Sequence, residues 1–370
     1  MHSRKLLVSA GRILGKNYGQ IDCECGRAFS SSALRCKAQI LDGRKISQQI
    51  ISELREEINA WQPNGRKRPH LSVILVGNDA GSQSYVAMKM RAAKKAGISS
   101  ETMHLQDTVS QPDLLSLIES LNHSRSTDGI LVQLPLPSHI SERAVSDAVS
   151  PEKDVDGFHV NNMGNMCQGK EGLYPCTALG IMELLRRSGI QTFGKNAVVV
   201  GRSKNVGMPI AMLMHADGYG DATTTICHRY TPPETLKVMT RMADILIVAV
   251  GRPNLITGDM VKEGATVVDV GITRRFDAEK NDFVLKGDVD FESVSEKAAY
   301  ITPVPGGVGP MTVCMLMRNT FTAARKVRGY DTAPSSLVSR VSSELLPVAS
   351  LTSTRLMDKI KKIFDLKINS

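Results

Sequence analysis

Ala197-Val-Val-Val-Gly201-Arg-Ser-Lys-Asn-Val-Gly207-Met-Pro209-Ile-Ala-Met-Leu-Met-His215 is the stretch that decides the fold. Its first four residues read as a buried strand, and 209–215 reads as a helix. The glycines between them let backbone approach a ligand, and the unpaired N–H groups of a helix N-terminus favour an anion there. The spacing from Gly201 to Gly207 is not G-x-G-x-x-G. A tight strand-to-helix turn without ligand is therefore the alternative for this loop taken alone.

Working outward, the rhythm repeats on the C-terminal side. Residues 222–226, 244–250 and 265–270 read as further apolar strands, separated by helices at 233–242 and 258–262. On the N-terminal side, residues 44–60 carry Ile46, Ile50, Ile51, Leu54 and Ile58 on one helical stripe. Strands follow at 71–76, 102–105 and 129–134, with helices at 82–96, stopped by Gly97, and at 113–122. Strands alternating with helices imply right-handed βαβ units and a mostly parallel sheet. The expectation is an α/β protein of two α/β domains with a cleft between them, the second Rossmann-like. Residues 151–172 read as irregular and polar, 177–188 as a helix. Pro303-Val-Pro-Gly-Gly-Val-Gly-Pro310 reads as a loop that opens a helix over 311–325.

A chain of 370 residues is long enough for two domains with extensions. Hydrophobic residues make up 42%, which excludes disorder throughout. No apolar run reaches the roughly 18–20 residues that span a bilayer. The net charge of +9 raises nucleic acid or a membrane surface as a partner. Its distribution counts against both. Residues 1–37 hold seven basic against two acidic residues, with no acid among the first 21. Arg-rich, Ser-containing and acid-poor is the profile of a mitochondrial transit peptide. A disordered tail without address is the alternative. Residues 331–370 hold six basic and four acidic residues and include a possible basic amphipathic helix at 355–367. The body between is close to neutral. Aromatics at 4% speak against a surface that stacks bases. Cys167, Cys176, Cys227 and Cys314 lie far apart in the body without a C-x-x-C pair, which suits a reducing compartment.

The strand over 222–226 bears on the cofactor. In dinucleotide folds this second strand commonly ends on an acid that bonds the ribose of NAD. Here it runs into Cys227-His228-Arg229. A cation there suits a 2′-phosphate, so the residues alone point to NADP, with Arg202 converging on the same anion. The plain alternative is a solvated Arg229. In the first half, Tyr85 and Lys89 share a helix face. A lysine drawn into a cleft gives up its proton more easily through desolvation and can then shuttle protons. Gln133 stands near the C-terminal end of a strand, where α/β ligands gather. Asp154 and Asp156 flank a turn made by Gly157. Each taken alone has a dull reading: solvated helix residue, strand-end polar group, turn former.

Taken together, five segments resemble one family. They are Tyr85-x-x-x-Lys89, Asp128-Gly-Ile-Leu-Val-Gln-Leu-Pro-Leu-Pro137, Pro151-Glu-Lys-Asp-Val-Asp-Gly157, Gly201-Arg-Ser-Lys-Asn-Val-Gly-Met-Pro209 and Pro303-Val-Pro-Gly-Gly-Val-Gly-Pro-Met-Thr312. In this order, over about residues 38–330, they resemble the bifunctional methylenetetrahydrofolate dehydrogenase/cyclohydrolases. The resemblance implies oxidation of 5,10-methylenetetrahydrofolate to the methenyl form by a nicotinamide, then hydrolysis to 10-formyltetrahydrofolate. It makes Lys89 the proton-transfer residue of hydrolysis, Gln133 its partner, Tyr85 a platform for the folate and Asp156 a pterin ligand. Val132, Gln133 and Leu134 would line the folate cleft with Pro305, Gly306, Gly307, Val308 and Gly309. Gly201, Arg202, Ser203, Gly207, Arg229, Gly251, Ile272 and Thr312 would bind the dinucleotide.

His228-Arg229-Tyr230-Thr231-Pro232 resembles the mitochondrial NAD-dependent branch. That branch implies NAD with inorganic phosphate and Mg²⁺: phosphate on Arg202 and Arg229, the metal placed with help from Asp221. NADP is thereby demoted to the alternative. The resemblance also implies a mitochondrial matrix enzyme and a homodimer. With 1–37 read as the transit peptide, 38–178 is the catalytic folate-binding domain, completed by a helix over 306–330, and 179–305 is the Rossmann-like domain. The tail 331–370 has no assigned role. Two features depart from the family pattern: Ala178 stands where proline is frequent, and the loop 215–221 is short for the mitochondrial branch. A monofunctional NADP dehydrogenase competes with this reading, but the presence of Lys89 and Gln133 counts against it. A basic nucleic-acid-binding protein on a Rossmann scaffold is the remaining reading.

Overall fold

The computed structural model describes residues 37–62, 67–277 and 282–328. The expected transit peptide and the C-terminal tail lie outside the described residues.

Each long helix starts and stops where its sequence dictates. In α1 (Gly43–Trp61) the Asp42 carboxylate accepts the Lys45 N–H at 3.0 Å. In α2 (Ala80–Ala96) Asp79 accepts from Ser82 N at 2.7 Å. Gly97 ends α2 in the left-handed conformation, φ 82°, which costs glycine little. Ser110 caps α3 (Gln111–His123). These caps satisfy N–H groups that a helix cannot pair internally.

Strands β2 (His70–Val76), β3 (Ser99–Leu105) and β4 (Gly129–Val132) form a parallel sheet of order β3-β2-β4. The second sheet has six strands, all parallel, in the order β1-β11-β8-β7-β5-β6. Its members are β1 (Gln39–Ile40), β5 (Asn196–Val200), β6 (Thr223–Cys227), β7 (Ile245–Val248), β8 (Thr266–Asp269) and β11 (Tyr300–Ile301). The four strands expected in this half are present. The two-residue strands β1 and β11 are too short to show periodicity in sequence. Gln39–Ile40, counted in sequence with the first domain, is here an edge strand of the second sheet.

Several short elements depart from the sequence reading. The stretch read as irregular contains α5 (Val160–Cys167), preceded by α4 (Glu142–Ala148). The helix expected at 258–262 is only a 3-10 turn, Gly258–Met260. The hairpin β9 (Thr273–Asp277) with β10 (Asp282–Lys286) is antiparallel and pairs only with itself. Its charged residues hid it from an apolar-run criterion. Helices α6 (Cys176–Arg187), α7 (Gly207–His215), α8 (Pro233–Met242), α9 (Phe291–Ser295) and α10 (Val308–Val327) complete the fold.

Helix α10 is the common support. It packs against α1, α2 and α6, burying Met311, Cys314, Met317, Phe321 and Ala324 among others. The core around it contains Leu71 and Val73 of the first sheet together with Val199 and Ile245 of the second. Ion pairs tie the same helices outside this core: Arg187 reaches Glu53 at 2.6 Å and Glu183 at 2.6 Å, and Arg318 reaches Glu57 at 2.7 Å.

Candidate active site

The C-terminal ends of the parallel strands carry the site, as the α/β architecture requires. A cavity of about 510 Å³ lies between α2 and the loop 303–310. Tyr85 faces it from α2, and Pro305, Gly306, Gly307, Val308 and Gly309 form the opposite wall. Close packing explains Gly307 and the facing Gly43. A β-carbon on Gly307 would stand 2.7 Å from Thr302 Cβ, and one on Gly43 would stand 1.8 Å from the Gly307 carbonyl oxygen. Ile272 also lines this cavity, beside Phe283 and Leu285 of the hairpin. The structure thus brings six of the expected folate-side residues, and one expected on the dinucleotide side, around one space.

One helical turn beyond Tyr85, Lys89 is buried at 9% exposure. Its Nζ donates to Gln133 Oε1 at 2.9 Å. Gln133 in turn donates its Nε2 to the Leu134 carbonyl at 2.6 Å. Its backbone N–H bonds Ile74 O at 2.9 Å, continuing the sheet one residue past β4. These contacts orient the amide so that its oxygen faces Lys89. Val132 is half-buried and packs against the core behind β4.

Asp156 belongs to the same cluster. Burial pushes its carboxyl up to about 6, Lys89 opposes that rise, and the neighbouring Asp154 adds to it. The loop that presents Asp156 is rigidly held. Lys153 is buried and donates Nζ to the carbonyls of Leu121, Asn122 and Ser124 at 3.0, 2.7 and 2.8 Å. It thereby closes the C-terminus of α3, a place where a cation is favoured. Asp154 accepts from Gly157 N, His159 N and Asn162 Nδ2 at 3.1, 2.8 and 2.9 Å.

Sequence reading missed Cys176. Its buried thiol contacts the Val155 carbonyl at 3.1 Å and accepts from Asn319 Nδ2 at 3.4 Å. Burial holds its pKa well above the ordinary thiol value, so it is a neutral neighbour of Lys89 and Asp156. Cys176 lies in none of the five segments, and its partner Asn319 is 143 residues away. No local signal joins them.

A second cavity of about 880 Å³ opens where the decisive strand-turn-helix predicts it. Gly201, Arg202, Ser203, His228 and Arg229 line it. Gly201 has φ 132°, and a β-carbon there would stand 2.2 Å from the Ala249 carbonyl oxygen. Gly207 packs against the Gly201 backbone, and its N–H donates to Ser203 Oγ at 3.1 Å. The guanidinium carbons of Arg202 and Arg229 lie 5.6 and 6.0 Å from the Tyr230 ring. The two arginines therefore converge on one patch of wall, a fit for a phosphate group. Gly251, φ 69°, follows β7 with its N–H held by Asp288 Oδ2 at 2.9 Å. Thr312 lies in α10 with its hydroxyl on Thr177 Oγ1 at 3.2 Å.

Asp221 does not join this group. It precedes β6 while Arg229 follows it, so the whole strand separates them, about 16 Å at roughly 3.3 Å per residue. Its own contacts confirm the place: its carbonyl accepts from Gly194 N and its carboxylate from Gly218 N, each at 2.9 Å. The structure thus sets Asp221 at the far end of β6 from Arg229. The residues before and after a parallel strand stand at opposite edges of the sheet. Among the described residues, no three His, Cys, Asp or Glu side chains gather as a metal site.

Comparison with known proteins agrees with this geometry. Residues 41–156 match the catalytic domain of the tetrahydrofolate dehydrogenase/cyclohydrolases, and residues 175–328 match their NAD(P)-binding domain. The bifunctional methylenetetrahydrofolate dehydrogenase/cyclohydrolase, mitochondrial, of Gallus gallus is 56% identical over 306 residues, 81% of this chain and 91% of that protein. The Homo sapiens bifunctional methylenetetrahydrofolate dehydrogenase/cyclohydrolase 2, mitochondrial, is 54% identical over 81% of this chain and 88% of its own length. Among solved structures, a 5,10-methylenetetrahydrofolate dehydrogenase from the silkworm Bombyx mori superimposes with a TM-score of 0.75 at 51% identity. It covers 79% of this chain and 99% of its own. On these grounds the chain belongs to the tetrahydrofolate dehydrogenase/cyclohydrolase family.

Proposed function

We propose that this chain catalyses both reactions of one-carbon folate metabolism that its relatives' names describe. It oxidises 5,10-methylenetetrahydrofolate to 5,10-methenyltetrahydrofolate, and it hydrolyses that cation to 10-formyltetrahydrofolate. The observation that carries the reading is buried Lys89 bonded to half-buried Gln133 beside Asp156, one helical turn from a cavity faced by Tyr85. A dehydrogenase alone needs chiefly alignment of two bound rings. Hydrolysis needs a group that moves a proton, and the pair supplies one.

The dinucleotide supplies a hydride acceptor when bound in the 880 Å³ cavity. Everything else falls to side chains. Asp156 in its ionised form accepts hydrogen bonds from the pterin, and Tyr85 packs on the ring system. The proton-moving step of hydrolysis falls to Lys89. It takes the proton of the attacking water at Nζ as the new C–O bond forms. Gln133 Oε1 holds Nζ in place through both protonation states, because an amide oxygen accepts from an amine or an ammonium alike. The tetrahedral intermediate then collapses: the C–N5 bond breaks, the hydroxyl proton passes to N5 as the formyl C=O forms, and the proton taken by Lys89 leaves to solvent.

The cofactor is NAD with inorganic phosphate on Arg202 and Arg229. Two guanidinium groups at that wall leave an anion site that NAD, lacking a 2′-phosphate, does not fill. NADP is the second reading, favoured by the same two arginines. No step is assigned to a metal at Asp221. By resemblance the enzyme is a homodimer of the mitochondrial matrix. The acid-free basic N-terminus and the mitochondrial names of its relatives support that address.

The test is turnover with NAD and with NADP, each with and without phosphate and with and without Mg²⁺. Phosphate-dependent NAD turnover is expected, with phosphate competing against NADP. NAD turnover indifferent to phosphate overturns the bridging anion.

A further inference from the structure

Asn319 stands on the buried face of α10 and is 5% exposed. Its neighbours one turn away on that face, Met315, Leu316 and Ala323, are buried and apolar. An amide in such company is costly unless its hydrogen bonds are made. Asn319 Nδ2 donates to the Val155 carbonyl and to the Tyr174 carbonyl, each at 2.9 Å. Both partners only accept, so the two N–H groups of the amide must face them.

The two carbonyls flank Asp156. The Val155 C=O lies in the same planar peptide as the N–H and Cα of Asp156, so its direction sets how the Asp156 side chain leaves the backbone. The Tyr174 C=O belongs to the Tyr174–Pro175 peptide, and Gly157 rests on that peptide. At its φ of 78°, a β-carbon on Gly157 would stand 2.4 Å from the Tyr174 carbonyl carbon and 2.6 Å from the Pro175 nitrogen. One amide nitrogen thus fixes the plane that leads into Asp156 and the plane against which the next residue is pressed. The Cys176 thiol adds a weaker bond to the Val155 carbonyl at 3.1 Å. The same helix builds the far wall of the folate cavity, which Val308 and Gly309 line at its first turn. From Val308 to Asn319 the helix rises about 16 Å at roughly 1.5 Å per residue. The separation of that wall from the Asp156 peptide is therefore a fixed length of α10.

We infer that Asn319 is the positioning residue of Asp156, and that it sets the affinity of the site for the hydrogen-bond donors of the pterin without touching the ligand. This deepens the functional reading above and rests on it. The charged groups that face Asp156 come from other positions: Lys89 of α2 and Asp154 of its own loop, beside the neutral Cys176 thiol at the start of α6. Asn319 brings no charge, so its effect is one of placement.

The experiment is a double-mutant cycle on the full-length enzyme, with folate KM and dinucleotide Kd as readouts. Asn319→Leu keeps the volume and removes both donors. Asn319→Ser is smaller and keeps one donor, and it carries the cycle if the leucine variant does not fold. With Asp156 intact, either substitution raises KM for 5,10-methylenetetrahydrofolate about tenfold, the scale of one weakened hydrogen bond to a carboxylate. The dehydrogenase kcat changes by about threefold or less, because the pterin is held alike in ground and transition states. Dinucleotide Kd, read by fluorescence titration, holds. In the Asp156→Asn background the same substitution changes folate KM by about twofold or less, since the group it positions is already gone. The step in folate KM near pH 6 moves to lower pH in the Asn319 variants, as a loosened loop lets water reach the carboxyl. An equal rise of KM in both backgrounds overturns the inference and marks Asn319 as a structural support alone. An unchanged KM with Asp156 intact overturns it too. If Asp156→Asn by itself leaves folate KM unchanged, the role of Asp156 in the functional reading fails and the inference falls with it, a result distinct from the other two.

Discussion

Replacing Lys89 by methionine separates the two proposed reactions. Methionine keeps an unbranched apolar stem in a site that is 9% exposed, so it removes the amine with little change of volume. The lost contact is one hydrogen bond of 2.9 Å to Gln133 Oε1. A hydrogen bond of this kind contributes about 1 kcal/mol net. Its loss is partly offset because a buried amine no longer has to be kept from water. The expected change in Tm is therefore small, roughly 2 °C for about 1 kcal/mol. Activity responds differently. A positioned proton-transfer group is worth roughly a hundredfold to ten-thousandfold. Hydrolysis, followed as loss of methenyltetrahydrofolate absorbance above the uncatalysed rate, falls by that factor. The dehydrogenase step, followed as reduced nicotinamide, falls by about tenfold or less, since ring alignment survives. Lys89→Arg tests whether charge alone suffices. Guanidinium stays protonated, so it cannot take a proton from water, and hydrolysis stays low. Hydrolysis by Lys89→Met within about threefold of the parent, a barrier change under 1 kcal/mol, refutes the assignment.

The Asp156 carboxyl is raised to about 6 by burial, and its ionised form is the one that accepts from the pterin. Folate KM therefore rises as pH falls through about 6, and this step is absent in Asp156→Asn; an identical profile in the variant removes the role. The sign for stability is opposite. A carboxyl with a raised folded-state pKa contributes stability below its unfolded value, near 4, that is lost as pH climbs through about 6. Asp156→Asn thus gains stability relative to the parent between pH 4 and 7, read as a difference in Tm across that range. Gly201→Ala would place a β-carbon 2.2 Å from the Ala249 carbonyl oxygen at a φ of 132°. Overpacking against backbone costs about 1–3 kcal/mol and shifts the turn, so dinucleotide affinity measured by fluorescence titration falls while folate binding holds. Unchanged affinity would show that the turn does not shape the site.

The family was legible because its motifs are continuous. The turn from Gly201 to Gly207, the Asp154–Gly157 turn and the loop 303–310 each carry their geometry within about ten residues, and each appears where the sequence puts it. The strands at 71–76 and 197–200 were legible because both faces are buried, which makes the run apolar throughout. The β9–β10 hairpin was not, since its strands stand outside both sheets and read Thr-Arg-Arg-Phe-Asp and Asp-Phe-Val-Leu-Lys. Yet it supplies Phe283, Leu285 and Arg274 to the cavity.

By itself, then, the sequence determined the local units: which runs form strands, where helices start and stop, and which turns can cradle an anion. These depend on neighbours within a few residues. Only the tertiary structure decided which units meet. Lys89 and Gln133 lie 44 residues apart and share a hydrogen bond. Asp221 and Arg229, eight positions apart in sequence, are held at opposite ends of β6 because an extended strand is stiff. The basic character that opened as +9 over the whole chain resolves, in the described body, into arginines at two cavities. Chain closure over long separations, not composition, put them there.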